Sequence, residues 1–125
     1  MNDVAVNEVT VMVVDDQRPF RDVATSVANL IKGWAVVAEA ETGEAAVESA
    51  LALRPQVVLM DINLPGISGL EATRQITTEL PGTRVVLMST YTAEQLPGDA
   101  MDCGALAYVR KEDLTPRVLR ELLAD

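Results

Sequence analysis

Two rhythms of apolar and polar positions alternate along the chain. Five β-rich segments stand out: Val9–Val14, Ala35–Ala40, Val57–Met60, Val85–Met88 and Leu106–Val109. Most are near-continuous apolar runs rather than strict alternations, the pattern of strands buried on both faces of a parallel sheet. Between them apolar residues recur at helical spacing. Phe20, Val23, Ala24, Val27, Leu30 and Ile31 form the first such series, with Pro19 suited to an opening turn. Val47, Ala50 and Leu51 mark a second helix stopped by Pro55, and Ser68 with Glu71 forms a capping box for a third that ends near Pro81-Gly82. A last helix starts at Thr115-Pro116 and buries Val118, Leu119, Leu122 and Leu123.

The segment after Val85–Met88 is the weak one. Thr92 and Gln95 can cap a fourth helix, but Pro97-Gly98 interrupts it within a turn or two. Proline inside a helix costs about 3 kcal/mol, so the pattern predicts a short or loosely held element there. Five strand–helix alternations predict a doubly wound, five-stranded parallel α/β sandwich with right-handed crossovers. One common strand order for such a sheet is 2-1-3-4-5. Ligands then bind beyond the carboxyl ends of strands 1 and 3, where the winding reverses.

Composition narrows the chemistry. The 125 residues include ten Lys or Arg, nineteen Asp or Glu and no His, a formal net charge of −9. Without histidine there is no Ser-His-Asp triad, imidazole base or histidine metal ligand, and the acidic excess argues against this stretch holding nucleic acid. The single Cys103 allows no internal disulfide, which fits a reducing, cytoplasmic setting. No apolar run approaches the roughly 20 residues of a membrane helix, and Met1–Glu8 lacks a secretory pattern. Residues 1–8 read as a flexible tail and 9–125 as one domain.

Against that background the strand ends carry the candidate site. Asp15-Asp16 follows the first strand and Asp61 the third. Singly these are ordinary turn or cap aspartates. Together at one crevice they would repel strongly, and a hard divalent cation such as Mg²⁺ is the usual remedy. Ser89 and Thr90 follow the fourth strand, and Lys111 follows the fifth. Lys32, the only other lysine, is placed at the end of the first helix, where the dipole favours a cation. An acidic pair, a nucleophile-capable carboxylate, a hydroxyl and a cation suit phosphoryl transfer onto a carboxylate, with Asp61 attacking phosphorus.

These residues closely resemble the receiver domain of two-component response regulators. The motifs are Val-Val-Asp-Asp at 13–16, Leu-Met-Asp-Ile-Asn-Leu-Pro-Gly at 59–66, Val-Leu-Met-Ser-Thr at 86–90 and Gly-Ala-Leu-Ala-Tyr-Val-Arg-Lys at 104–111. The resemblance implies a flavodoxin-like, CheY-like fold over residues 9–125. It also implies Asp61 as phosphoacceptor, Asp16 as direct Mg²⁺ ligand and Asp15 as its partner acting through water. Asn63 would complete the metal site through its backbone carbonyl. Ser89 would turn onto the phosphoryl group with Lys111, and Tyr108 would track activation by its rotamer. The implied donor is a histidine kinase. The implied output is a switch of the face made by the fourth helix, the fifth strand and the last helix, with homodimerisation on phosphorylation among its outcomes.

Two positions depart from the family pattern. Glu112 stands where Pro often follows the lysine, which places a carboxylate near Lys111, and Ser89 stands where Thr is commoner. The Leu-Ala-Tyr-Val-Arg-Lys-Glu-Asp stretch is most similar to NarL/FixJ-type receivers, which carry a C-terminal helix-turn-helix; these residues are either a stand-alone receiver or a piece of a longer regulator. Such a chain is no enzyme beyond its own Mg²⁺-dependent phosphotransfer and dephosphorylation. The alternatives are a haloacid-dehalogenase-like phosphatase, whose second acid is missing at Gln17 and Arg18, and a non-phosphorylated adapter of the same fold.

Overall fold

The apolar runs lie side by side in one parallel sheet. In the computed structural model, described over residues 8–98 and 100–124, the strands are β1 (Val9–Val14), β2 (Trp34–Ala40), β3 (Val57–Asp61), β4 (Arg84–Ser89) and β5 (Ala107–Arg110). Their order is β2-β1-β3-β4-β5. The helices are α1 (Arg18–Asn29), α2 (Gly43–Leu53), α3 (Gly69–Glu79) and α4 (Pro116–Leu122). Of the expected N-terminal tail, residues 1–7 lie outside the described residues.

Alternate side chains of the central strands feed two cores. Met12, Val14, Val58 and Met60 pack with Ala46 and Ala50 of α2 and with Ala72 and Ile76 of α3. Val11, Val13, Val57 and Leu59 pack on the opposite face with Ala24 and Ala28 of α1 and Leu119 of α4. This is the period-2 geometry of a strand covered on both sides, and it explains why β1 and β3 read as unbroken apolar runs. β2 lies at the sheet edge and carries one irregularity: its register with β1 jumps past Val37, which is left 46% exposed. Trp34 opens β2 at the amino end of the sheet and packs partly against the second core.

Helix starts follow local chemistry. The Thr42, Ser68 and Thr115 hydroxyls each accept from the backbone N–H three residues on, supplying partners that the first turn otherwise lacks. Only half of the expected capping box forms, because Glu71 turns its carboxylate to Arg74 and Gln75. α1 starts without a side-chain cap, with Pro19 in its first turn. Its buried face is centred on Arg21, Ala24 and Ala28, so Val23 and Leu30, expected inside, fall on the rim and are exposed. Leu51 of α2 is exposed too, and Val118 and Leu122 of α4 are only partly buried. Lys32 lies beyond α1, which ends at Asn29, and so does not cap its last turn.

The expected fourth helix is replaced among the described residues by two 3₁₀ turns, Ala93–Gln95 and Ala100–Cys103. The Gln95 side chain accepts from the Thr92 N–H and closes the first turn locally (2.8 Å). Pro97 then removes a donor and blocks helical continuation. Ala100 and Cys103 anchor the second turn in the core, and Gly104, at φ +101°, takes the chain into β5 under Thr77 of α3. Farther along the chain, β5 and α4 border a cleft of ≈ 690 Å³ that includes Tyr108, Val118 and Leu122.

Gly69 fixes how closely α3 approaches the end of β3. Its N–H donates to the Ile62 carbonyl at 2.8 Å, and a Cβ there would collide with the Asp61 carbonyl. Gly82, by contrast, faces open space. Gly69→Ala is expected to lower unfolding free energy by about 1–3 kcal/mol, the usual cost of overpacking. Gly82→Ala should stay within about 0.5 kcal/mol, as surface substitutions do. Paired denaturant titrations check the contrast.

Candidate functional site

β1 and β3 are neighbours, with Val14 opposite Met60, so the residues at their carboxyl ends meet where the winding reverses. Asp15 follows β1 and is fully buried; Asp61 closes β3 and is 4% exposed; Asp16 faces solvent. One carboxylate oxygen from each lies within 4.8 Å of the others.

Asp15 is held on several sides. Its N–H donates to the Ala40 carbonyl (3.1 Å), and its Oδ1 accepts from the Gln17 N–H (2.8 Å). Its Oδ2 lies 2.7 Å from Lys111 Nζ, an ion contact that is not aligned as a hydrogen bond, and it has no hydrogen-bond partner. Lys111 reaches Asp61 Oδ2 at 3.4 Å, while Asp61 Oδ1 accepts from the Asn63 N–H at 3.3 Å. Nζ also lies 4.5 Å from the centre of the Phe20 ring, an additional attraction for the ammonium.

Burial and the Asp15 charge push the Asp61 carboxyl up to about 6, against the opposing pull of Lys111 and the Asn63 amide. Three hard oxygen donors, one exposed and one buried without a hydrogen bond, fit a divalent cation of the Mg²⁺ type. Beside them is a cleft of ≈ 210 Å³ lined by Asp16, Gln17, Asp61, Asn63, Thr90 and Lys111.

Ser89 and Tyr108 meet at the backbone of Tyr91, beyond the end of β4. Ser89 is buried at the end of β4, where its hydroxyl accepts from the Tyr91 N–H at 3.0 Å. The Tyr108 hydroxyl donates to the carbonyl of the same residue, Tyr91. Burial raises the Tyr108 phenol above its ordinary range, partly offset by the Ser89 hydroxyl. Asp15, Asp16, Asp61, Asn63 and Lys111 thus lie together, whereas Thr90 rather than Ser89 lines the cleft beside them and Tyr108 does not reach it. Glu112 turns to Arg110 at 3.1 Å instead of to Lys111.

Phe20 and Gln17 were not legible as site residues. Phe20 reads as one more apolar position in α1, and its role under Lys111 depends on β5 ending above it. Gln17 contributes through its backbone, on which sequence is silent.

The chain's residues 11–124 match the response regulator receiver domain family model, and the chain belongs to that family. The response regulator UvrY of Escherichia coli O6:H1 is 39% identical over 103 residues, 82% of this chain and 47% of that protein. The response regulator GacA of Pseudomonas aeruginosa is also 39% identical over 103 residues, covering 82% and 48%. The signal receiver domain of a NarL response regulator from Mycobacterium tuberculosis superposes with a TM-score of 0.82 at 31% identity, covering 95% of this chain and 99% of that one. The chain thus spans about half the length of the curated relatives it matches. These relationships favour the receiver over the phosphatase and adapter alternatives. Among the described residues no helix is long and apolar enough to cross a membrane.

The raised Asp61 value has a direct consequence for stability. Between pH 3.8 and about 6 the folded protein keeps a proton on Asp61 that the unfolded chain releases, so the contribution of Asp61 to stability falls as pH rises through that window. Above it the ionised carboxylate is a standing cost on the order of 2–3 kcal/mol, at 1.36 kcal/mol per pH unit. In metal-free buffer Asp61→Asn should therefore be more stable than wild type at neutral pH, with the difference shrinking toward pH 4. Chemical denaturation across that range measures it.

Proposed function

We propose that the chain accepts a phosphoryl group on Asp61 from a histidine kinase in the cytoplasm, with Mg²⁺ held by Asp15, Asp16, Asp61 and the Asn63 carbonyl. The carrying observation is the convergence of two buried carboxylates, one exposed carboxylate and the Lys111 ammonium at the reversal of the sheet. When bound, the cation neutralises phosphoryl oxygens and lowers the cost of bringing an anion to an acidic cleft.

The protein's own residues supply position and charge. Asp61 lies at the rigid end of β3 with Oδ1 fixed by the Asn63 amide, so a carboxylate oxygen is presented to phosphorus with little freedom. Attack there forms a P–O bond as the donor's P–N bond breaks. Lys111, steadied over Phe20, supports the new charge, and Ser89 contributes its hydroxyl. The chain's chemistry is confined to this transfer and to the later hydrolysis of its own acyl phosphate.

The phosphoryl group adds about 1.5 to 2 negative charges, by analogy with phosphoserine. Charge-assisted bonds from Ser89 and Lys111 contribute about 1.5–3 kcal/mol each, and only the part better made in the active state shifts the equilibrium. A net bias of about 2 kcal/mol alters a two-state ratio roughly thirtyfold. Ser89 and Tyr108 hold the two peptides that flank Tyr91, Ser89 accepting from its N–H and Tyr108 donating to its carbonyl. A Ser89 hydroxyl drawn toward the phosphoryl group would disturb that grip and the two 3₁₀ turns beyond it. The responding face is then those turns, β5 and α4. Its readers are a second copy of the domain or an attached helix-turn-helix, as in NarL/FixJ-type regulators.

Incubation with Mg²⁺ and a small acyl phosphate should give a base-labile adduct by mass spectrometry. Asp61→Asn should show none. Asp16→Ala should show little, and Lys111→Ala should bind the cation but transfer poorly. Steady turnover of diverse phosphate esters, or no adduct with any donor, would refute the reading. For the switch, hydrogen exchange over residues 92–104 should change on phosphorylation, and the change should shrink in Ser89→Ala.

A further inference from the structure

Arg21 is a buried cation that the phosphoryl site does not touch. It is 9% exposed and lies on the sheet-facing side of α1 with Ala24 and Ala28. A buried guanidinium is costly unless paired, and its contacts account for its presence. Nε donates to Glu39 Oε1 at 2.9 Å, Nη1 donates to the backbone carbonyl of Asp15 at 2.9 Å, and Nη2 lies 4.0 Å from Glu41 Oε2. One planar group thereby joins α1, the edge strand β2 and the turn that carries the acidic pair.

The carbonyl it grips belongs to the peptide linking Asp15 to Asp16. Because that unit is planar, fixing its oxygen also fixes the N–H and Cα of Asp16. The Asp15 N–H is already bonded to Ala40 and its Oδ1 to Gln17. Arg21 completes this set, so that Oδ2 of Asp15 faces Lys111 and Asp61. Glu39 balances the guanidinium charge at 2.9 Å and Glu41 adds a more distant carboxylate, so the geometry is held without weakening the negative potential that draws in a cation.

We propose that Arg21 is a positioning residue for the divalent-cation site, acting through the Asp15–Asp16 peptide with Glu39 as its counter-charge. This rests on reading Asp15 and Asp16 as cation-holding residues. Calorimetric Mg²⁺ titration of the folded protein, beside a denaturant curve for each variant, tests it with wild type, Asp16→Ala, Arg21→Met and Arg21→Lys. Arg21→Met should lose about tenfold in Mg²⁺ affinity, as outer-sphere partners of metal sites do. Its phosphorylation rate at saturating Mg²⁺ should be largely kept. Arg21→Lys keeps the charge but not the fork that spans two acceptors, so it should recover only part of the affinity. It also carries the test if the methionine variant does not fold. A mere clamp between α1 and β2 would lower stability while leaving the Mg²⁺ affinity of folded protein unchanged, and that result in the Arg21 variants overturns the inference alone. Absence of Mg²⁺ binding by wild type, or binding undiminished in Asp16→Ala, removes the cation site and the inference with it.

Discussion

Mutual repulsion among Asp15, Asp16 and Asp61 is the constraint around which the carboxyl edge of the sheet is arranged. The protein concentrates negative charge at one point and answers it with a single ammonium that bridges Asp15 at 2.7 Å and Asp61 at 3.4 Å. The compensation is incomplete: burial first and the Asp15 charge second raise the Asp61 carboxyl against the pull of Lys111, and one Asp15 oxygen lacks a hydrogen bond. Residual frustration of this kind is a reservoir that a divalent cation, bringing positive charge to the three carboxylates, would draw on. Stability withheld from the resting fold becomes binding energy at the site.

The carboxyl edge tolerates this tension because the layers beneath it are stiff. Core residues from Val11 to Val14 and from Val58 to Met60 are wholly buried, and Gly69 lets the start of α3 press against the Asp61 backbone. Side chains at the ends of such strands inherit their precision from the sheet. On the other side of the site, the path from Ser89 through Tyr91 leads into the two short turns that replace a helix. The β1–β3 side is thus backed by long, fully buried strands, whereas the segment beyond β4 is built of short turns.

Much of this is legible in the sequence, for physical reasons that differ by residue. Asp15, Asp61 and Lys111 each close or follow an apolar run, so strand order alone brings them together. The missing fourth helix was foreshadowed by Pro97-Gly98, a local signal that needs no tertiary information. Val23, Leu30 and Leu51 were misplaced because an apolar residue on the rim of a helix looks the same in sequence as one at its centre. Arg21 left a trace: a charged residue spaced three and seven positions from Ala24 and Ala28, in register with the buried face. Its partner Glu39 gave none, since their meeting depends on β2 pairing with β1. Glu112 gives no signal either, because its choice of Arg110 over Lys111 is set by the turn after β5.

Trp34 opens β2 at the amino end of the sheet, whereas the acidic cleft lies at the carboxyl end, a strand length of about 20 Å away. The only indole in the chain is therefore set in the packing layer and insulated from the reacting edge. Its emission is a faithful optical gauge of whether the domain is folded and a nearly blind one for what occupies the cleft. The two tyrosines stand elsewhere, joined to each other by the Tyr108 hydroxyl and the Tyr91 carbonyl beyond β4. The indole and the phenols of this small protein thus report on different parts of the fold.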